Sequence, residues 1–417
     1  MEKIPFAPPR IDQAIIDEVT ETLRSGWITT GPRTKQLEKE IAALTHSPAV
    51  LCLGSATAGM ELALRWLGIR EGDEVIVPAY TYCATANVVV HCGAKPVMVD
   101  VLRTDGTLDP GKVAAAITPH TKAIMPVDLG GMPAHYREIG DLIRNPAALK
   151  LFSPGSPEQE QLGRIALIAD AAHSIGATYR RKPAAEWADA TVFSFHAVKN
   201  LTTAEGGALC LNFPEPFDNE AIYKTLNRWS LHGQSKDALA KFGGNSWEYD
   251  VLEAGYKCNM PDVLAAIGLV EIRRYESDTL PKRRVQFDLY HNLLSGFSWA
   301  ELPWFATAEK QSSCHLYLLR IRDISLEQRN AIIQRVFDAG VSVNVHYKPL
   351  PMLSVYREMG YSMKDYPVSC DFFEREISLP VFYDLSPAQQ ERVVQVLADA
   401  VQAETGASSG LPFHKTV

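Results

Sequence analysis

The sequence is missing most of the signals that would assign it quickly, and each gap closes off a class of function. Its seven cysteines, at positions 52, 83, 92, 210, 258, 314 and 370, form no C-x-x-C pair. The spacing therefore offers neither a zinc site nor a disulfide framework, and the thiols read as reduced and mostly buried. No G-x-G triplet occurs anywhere, which removes the dinucleotide fingerprint of a nicotinamide-dependent oxidoreductase. Basic residues are outnumbered, 41 Lys and Arg against 49 Asp and Glu for a net charge of −8. With no basic stripe, nucleic acid is not an expected partner, nor is an anionic membrane surface. No run of about 18 apolar residues exists to span a bilayer, and the start Met1-Glu2-Lys3-Ile4-Pro5 lacks an apolar signal core. The expectation is a cytoplasmic chain without membrane insertion.

What is present is a chain long enough, at 417 residues and 46% hydrophobic, to bury a large core and to form one large domain with a smaller companion. Ile11, Ile15, Val19 and Leu23 recur every four residues up to Gly26, which predicts an amphipathic helix, and Leu37, Ile41 and Leu44 predict a second. Up to about residue 212, short apolar runs alternate with helix-like stretches. The runs are Val75-Ile76-Val77, Pro96-Val97-Met98-Val99, Ala123-Ile124-Met125, Ile165-Ala166-Leu167-Ile168, Val192-Phe193 and Ala208-Leu209-Cys210-Leu211. That alternation predicts an α/β domain with a mostly parallel sheet flanked by helices. Beyond it the pattern changes to an α+β lobe: strands near His315 to Ile321 and Val341 to Val345, a helix near Leu326 to Phe337, and a last helix opened by Ser386-Pro387-Ala388-Gln389. The proposed division is 1–260, 261–405 and a loose tail at 406–417. Asn145 to Gly163, rich in proline and polar residues, reads as a long loop.

Three segments could carry chemistry. Gly54-Ser55-Ala56-Thr57-Ala58-Gly59-Met60 lies between an apolar run and a strong helix. Met60 and Glu61 stand where a triphosphate loop needs Lys and Ser or Thr, so the segment is either an ordinary capped helix start or a site for a phosphate monoester. Asp170, at the end of the run Ile165 to Ala169, sits where α/β sheets bind ligands, and could equally cap the following helix. Lys199 follows Ser194-Phe195-His196-Ala197-Val198, placing it in the turn past a strand end with Ser194 and His196 on one strand face. A lone loop lysine is ordinarily a solvated charge. Together, however, the three supply what pyridoxal 5'-phosphate (PLP) requires: donors for a phosphate, an amine for an aldehyde, and a carboxylate for a pyridine nitrogen that must stay protonated to act as an electron sink. An ordinary lysine, with a pKa of about 10.4, is neutral at pH 7 about once in a few thousand molecules, so burial has to lower that value.

The same residues carry a family resemblance. Ser25 to Pro32, Ser55 to Met60, Gly72-Asp73-Glu74-Val75-Ile76, Pro96 to Asp100, Asp170-Ala171-Ala172-His173, Ser194 to Asn200, Glu205-Gly206-Gly207 and Gly255 to Met260 resemble, in order, the DegT/StrS-type sugar aminotransferases. The resemblance runs from Ile4 to Val401, and the wording is closest to the branch of UDP-sugar 4-aminotransferases that makes UDP-4-amino-4-deoxy-arabinose. It implies fold type I of the PLP-dependent transferases, a homodimer with shared active sites, and transfer of an amino group from glutamate to a UDP-linked 4-keto sugar for cell-surface polysaccharide or lipid A. Carried over, Lys199 bonds the cofactor aldehyde and moves the proton. Asp170 pairs with the ring nitrogen, His173 sits beside the ring, and Tyr82 stacks on it. Ala56, Thr57 and Ser194 hold the phosphate, and Asn259 reaches the phosphate of the neighbouring subunit. Thr29, Thr30, His196, Tyr256, His346 and Tyr347 are the expected substrate contacts, and Glu205 organises its loop. Ala169 stands where the family usually has an acidic residue, and the stretch 145–163 looks like an insertion. The alternatives are a sugar 3-aminotransferase, a dehydratase, whose branch replaces the lysine with histidine, and a silent regulatory relative.

Overall fold

The computed structural model describes residues 3–235 and 249–406. The chain first builds β1 (Ala49–Leu53), β2 (Glu74–Pro78), β3 (Lys95–Val99), β4 (Thr121–Ile124) and β5 (Ala166–Asp170). The two-residue β6 (Thr178–Tyr179) and β7 (Lys182–Pro183) pair with each other, and β8 (Ala190–Ser194) and β9 (Gly207–Leu211) complete the main sheet. Its order is β1-β9-β8-β5-β4-β2-β3. Strands β2, β3, β4, β5 and β8 run parallel, while β9 is antiparallel to both neighbours. This is the expected mostly parallel mixed sheet.

The apolar runs fill two faces because strand side chains alternate. Leu51 and Leu53 point to a core shared with Met60, Leu62 and Ala63 of the helix Ala56–Trp66. Val50 and Cys52 point the other way, onto Leu37 and Ile41 of the helix Pro32–Thr45. Both faces being covered, each leucine or isoleucine contributes about 1.5–3 kcal/mol through burial. A second core lies in the three-stranded antiparallel sheet of β10 (Ala300–Glu301), β12 (Tyr317–Ile321) and β13 (Glu376–Leu379). It packs on the helices Leu326–Asp338 and Pro387–Thr405, and Ile4 from the start of the chain joins it. The short β11 (Lys310–Gln311) instead pairs with β6. The cap expected at Ser386 is there as a full capping box with Gln389.

Two expectations are corrected. The stretch Val341 to Val345 is no strand; it makes only single bridges, Ile4 to Val341 and Asn344 to Ser378. Residues 145–163 are not a loop but two short helices, Pro146–Leu151 and Pro157–Leu162, each with proline in its first turn and a side-chain cap from Asn145 or Ser156. Gln159 is buried and ties the second of them to the Leu67 carbonyl. The first helix, Gln13–Arg24, forms as expected, with Ile15 buried and Val19 half-buried, while Leu23 in its last turn is 55% exposed and Ile11 lies ahead of the helix. The tail 407–417 lies outside the described residues.

Candidate active site

Strand direction gathers the chemistry at one edge of the main sheet. The ends of β1, β2, β5 and β8 lie on the same side, and the segments leaving them carry Ser55, Tyr82, Asp170 and Ser194. Between them is a cavity of about 400 Å³ lined by Ala56, Thr57, Tyr82, Asp170, His173, Ser194, His196, Lys199, His346 and Tyr347. Ten residues expected from sequence are thus brought to one place.

After β8 the chain turns, Lys199 N–H donating to the His196 carbonyl at 2.9 Å, and the lysine enters the cavity. Burial pulls its ammonium down to about 8, with the charge of Asp170 pulling weakly the other way. Asp170 is itself buried, which raises its pKa. The carboxylate is compensated by the Thr85 hydroxyl at 2.7 Å and the Ala172 N–H at 3.2 Å. Thr85 was invisible in the sequence, since nothing at that position marks a threonine on a helix as facing a strand end.

The helix Ala56–Trp66 starts at the cavity. Its cap, Ser55 Oγ, accepts from Ala58 N–H at 3.1 Å, and the first intrahelical bond is Gly59 N–H to Ser55 O at 3.3 Å. The amides of Ala56 and Thr57 precede that bond and are available to an anion. Gly207, opening β9, packs directly on this turn: a Cβ there would lie 2.4 Å from Ala56 N. That explains Gly207, while a Cβ on Gly206 would meet Thr203 Oγ1 and the Met260 side chain; Glu205, before the pair, lines the cavity and lies 3.7 Å from His196.

His173 is held in one tautomer. Gly130 N–H donates to its Nδ1 at 3.2 Å, so the ring proton is on Nε2, which faces the Tyr347 hydroxyl at 2.8 Å. Burial and the nearby Lys199 keep His173 well below the usual histidine range, hence neutral. Tyr82 is 59% exposed at the mouth, its ring 5.8 Å from that of Tyr347.

Four expected residues lie elsewhere. The Asn259 amide donates to Thr30 Oγ1 at 2.6 Å, and Thr30 donates to the Met260 carbonyl at 2.6 Å. The Thr29 carbonyl accepts from Asp262 N–H, and Tyr256 lies under the Arg65 guanidinium, 5.6 Å from it. None of the four lines the cavity of its own chain. Among the described residues no group of His, Cys, Asp and Glu could hold a metal ion, and no helix is long and apolar enough to cross a membrane.

A partly dehydrated amine, a buried carboxylate and free helix amides are what an aldehyde, a pyridine nitrogen and a phosphate monoester need, so the donor set fits PLP. Comparison with known proteins agrees. The chain is 34% identical over 404 residues to the spore coat polysaccharide biosynthesis protein SpsC of Bacillus subtilis, covering 96% of this chain and 97% of that one. Among solved structures, Spr1654 from Streptococcus pneumoniae in its PLP form superposes with a TM-score of 0.91 at 42% identity, covering 96% of this chain and 99% of the other. The aminotransferase TlmJ from Streptoalloteichus hindustanus gives 0.83 at 27% identity, with 97% and 100% covered. Residues 9–152 and 159–398 match the DegT/DnrJ/EryC1/StrS aminotransferase family, the break falling inside the stretch read as an insertion. The chain belongs to that family and is a PLP-dependent aminotransferase of fold type I.

Proposed function

We propose that the protein moves an amino group from glutamate to the 4-keto group of a UDP-linked sugar, for the assembly of a surface glycan. The observation that carries this reading is the convergence of Lys199, Asp170 and the Ala56–Thr57 amides on one cavity of about 400 Å³. PLP supplies the electron sink; the chain supplies everything else. Lys199, held at about 8, is neutral often enough near pH 7 to bond the aldehyde and then to move the proton at the reacting carbon. Asp170 keeps the ring nitrogen cationic, and Ala56, Thr57 and Ser194 anchor the phosphate. Tyr82 covers the ring, with His173 beside it. Asn259, bonded to Thr30 outside the cavity of its own subunit, reaches the phosphate of a second copy in a homodimer. His196, His346 and Tyr347 are the sugar-facing side chains.

A sugar substrate is supported by two relatives: SpsC is named for polysaccharide biosynthesis, and Spr1654 is described as a candidate sugar aminotransferase. The test is a panel of UDP- and dTDP-linked 4-keto sugars incubated with glutamate and read by product mass. Amination of a UDP-4-keto sugar is expected. Turnover of dTDP-sugars alone, or of 3-keto sugars alone, would overturn the assignment.

A further inference from the structure

Glu376 and Ser378 share one face of β13, opposite Ile377 and Leu379, and both polar side chains are fully buried. The reaction described above does not use them. Paired backbone bonds between Asn344 and Ser378, at 3.1 and 2.8 Å, bring His346 alongside. His346 N–H donates to Glu376 Oε2 at 2.9 Å. Ser378 Oγ is within hydrogen-bond reach of Glu376 Oε1 and of His346 Nδ1, the latter at 2.7 Å.

These contacts fix where protons can be. Oε2 accepts from the His346 N–H, so Oε1 is the oxygen placed to pass a carboxyl proton to Ser378, the reverse of the Ser378-to-Oε1 bond made to the ionised form. The single serine hydrogen then goes to His346 Nδ1, and the neutral imidazole carries its own proton on Nε2. Nδ1 is taken and Phe6 stacks on the ring, 5.6 Å between centroids. Nε2 is therefore the edge that His346 has left for the cavity it lines with Lys199.

We propose that Glu376, Ser378 and His346 form a proton relay in which a buried carboxyl recharges a general acid at the substrate carbonyl. The attacking amine forms the new carbon–nitrogen bond and passes one proton to the carbonyl oxygen, making it a hydroxyl; as the carbon–oxygen bond then breaks, Nε2–H gives its proton to that hydroxyl, which leaves as water. Nδ1 takes the serine hydroxyl proton, Ser378 takes the proton from Oε1, and Glu376 is left as a carboxylate. The second proton shed by the same nitrogen returns to the array and resets it. Glu376 and Ser378 are positioning residues; His346 alone touches substrate. The groups facing the relay are Arg329, which donates to the Glu376 carbonyl at 3.2 Å, Arg320, Tyr347, and Tyr80, which donates to the His346 carbonyl at 2.7 Å, with His173 and His315 near His346. Lys199 faces the imidazole. Burial outweighs the two arginines and pushes Glu376 up to about 8, while burial and Lys199 push His346 down to about 3. The stored proton is therefore on the carboxyl at pH 7.

The chemistry rests on the aminotransferase reading, but the proton positions do not, so two measurements separate them. Infrared spectra of the full chain with cofactor bound should contain a protonated-carboxyl band that titrates near pH 8, is lost in Glu376→Gln and shifts in frequency in Ser378→Ala. In Ser378→Ala, kcat/KM should fall about 100-fold, the scale of general acid catalysis, with cofactor absorbance unchanged, and the decline of kcat/KM above pH 8 should disappear. Absence of the band at pH 7, or wild-type pH profiles in Ser378→Ala, would overturn the relay. Should Glu376→Gln fail to fold, the band shift and pH profile of Ser378→Ala decide alone. If the wild type aminates no keto sugar, the proposed function fails while the infrared titration still decides the relay.

Discussion

The Thr85 hydroxyl donates to Asp170 Oδ2 at 2.7 Å, inside a site where the carboxylate is wholly buried. Burial raises the pKa of Asp170, and this bond is the first of the opposing influences. The carboxylate proposed to hold the pyridine nitrogen cationic is thus stabilised by a residue outside every motif read from the sequence.

Removing that hydroxyl by Thr85→Val keeps the side-chain shape and deletes one hydrogen bond to a charged group, an interaction of about 1.5–3 kcal/mol. Cofactor affinity, measured by fluorescence titration, should weaken about 10-fold or more. An unchanged affinity would mean that Asp170 does not act through its charge.

Lys199 makes stability depend on pH in a direction that can be worked out. It titrates at about 8 in the folded chain, against about 10.4 when unfolded. Between those values the unfolded chain holds the proton and the folded chain has lost it, so stability rises with pH from about 8 to about 10.4. Below that window the folded state carries the full cost of burying the charge. In cofactor-free protein, Lys199→Met should therefore be more stable at pH 7, on the order of 2 kcal/mol after solvent screening, with the advantage vanishing above pH 10. Thermal unfolding across the range checks both.

Gly207→Ala places a methyl carbon 2.4 Å from Ala56 N. The helix start must shift, so we expect a loss of about 1–3 kcal/mol on thermal unfolding together with weaker cofactor binding. A variant with wild-type affinity would separate the helix amides from the phosphate.

If Asn259 serves the neighbouring subunit, mixing inactive Lys199→Ala protein with Asn259→Ala protein, after reversible dissociation, should regain roughly a quarter of wild-type activity, because heterodimers have one intact site. No recovery would place Asn259 in its own subunit's site or outside any site.

The fold was readable where local pattern and tertiary context agree. The runs at β2, β5, β8 and β9 lie close to where composition placed them because each is buried on both faces, and the edge strand β3 keeps Pro96, Met98 and Val99 buried. The stretch 341–345 failed because alternation cannot tell a strand from a segment that makes two single bridges. The loop reading of 145–163 gave proline and polar residues more weight than their positions deserved: Asn145-Pro146 and Ser156-Pro157 are helix starts. Lys199, Asp170 and Ser194 stood out through their place at strand ends. Thr85, Gly130 and the Glu376–Ser378 pair did not, since their partners lie 85, 43 and about 30 residues away along the chain.

The central claim is a covalent bond between Lys199 and the cofactor aldehyde. Borohydride reduction of the cofactor-loaded protein, followed by proteolysis and mass mapping, should find the reduced pyridoxyl group on the peptide containing Lys199 and on no other lysine. Recovery of that group elsewhere, or of unmodified Lys199 from fully loaded protein, would contradict the account.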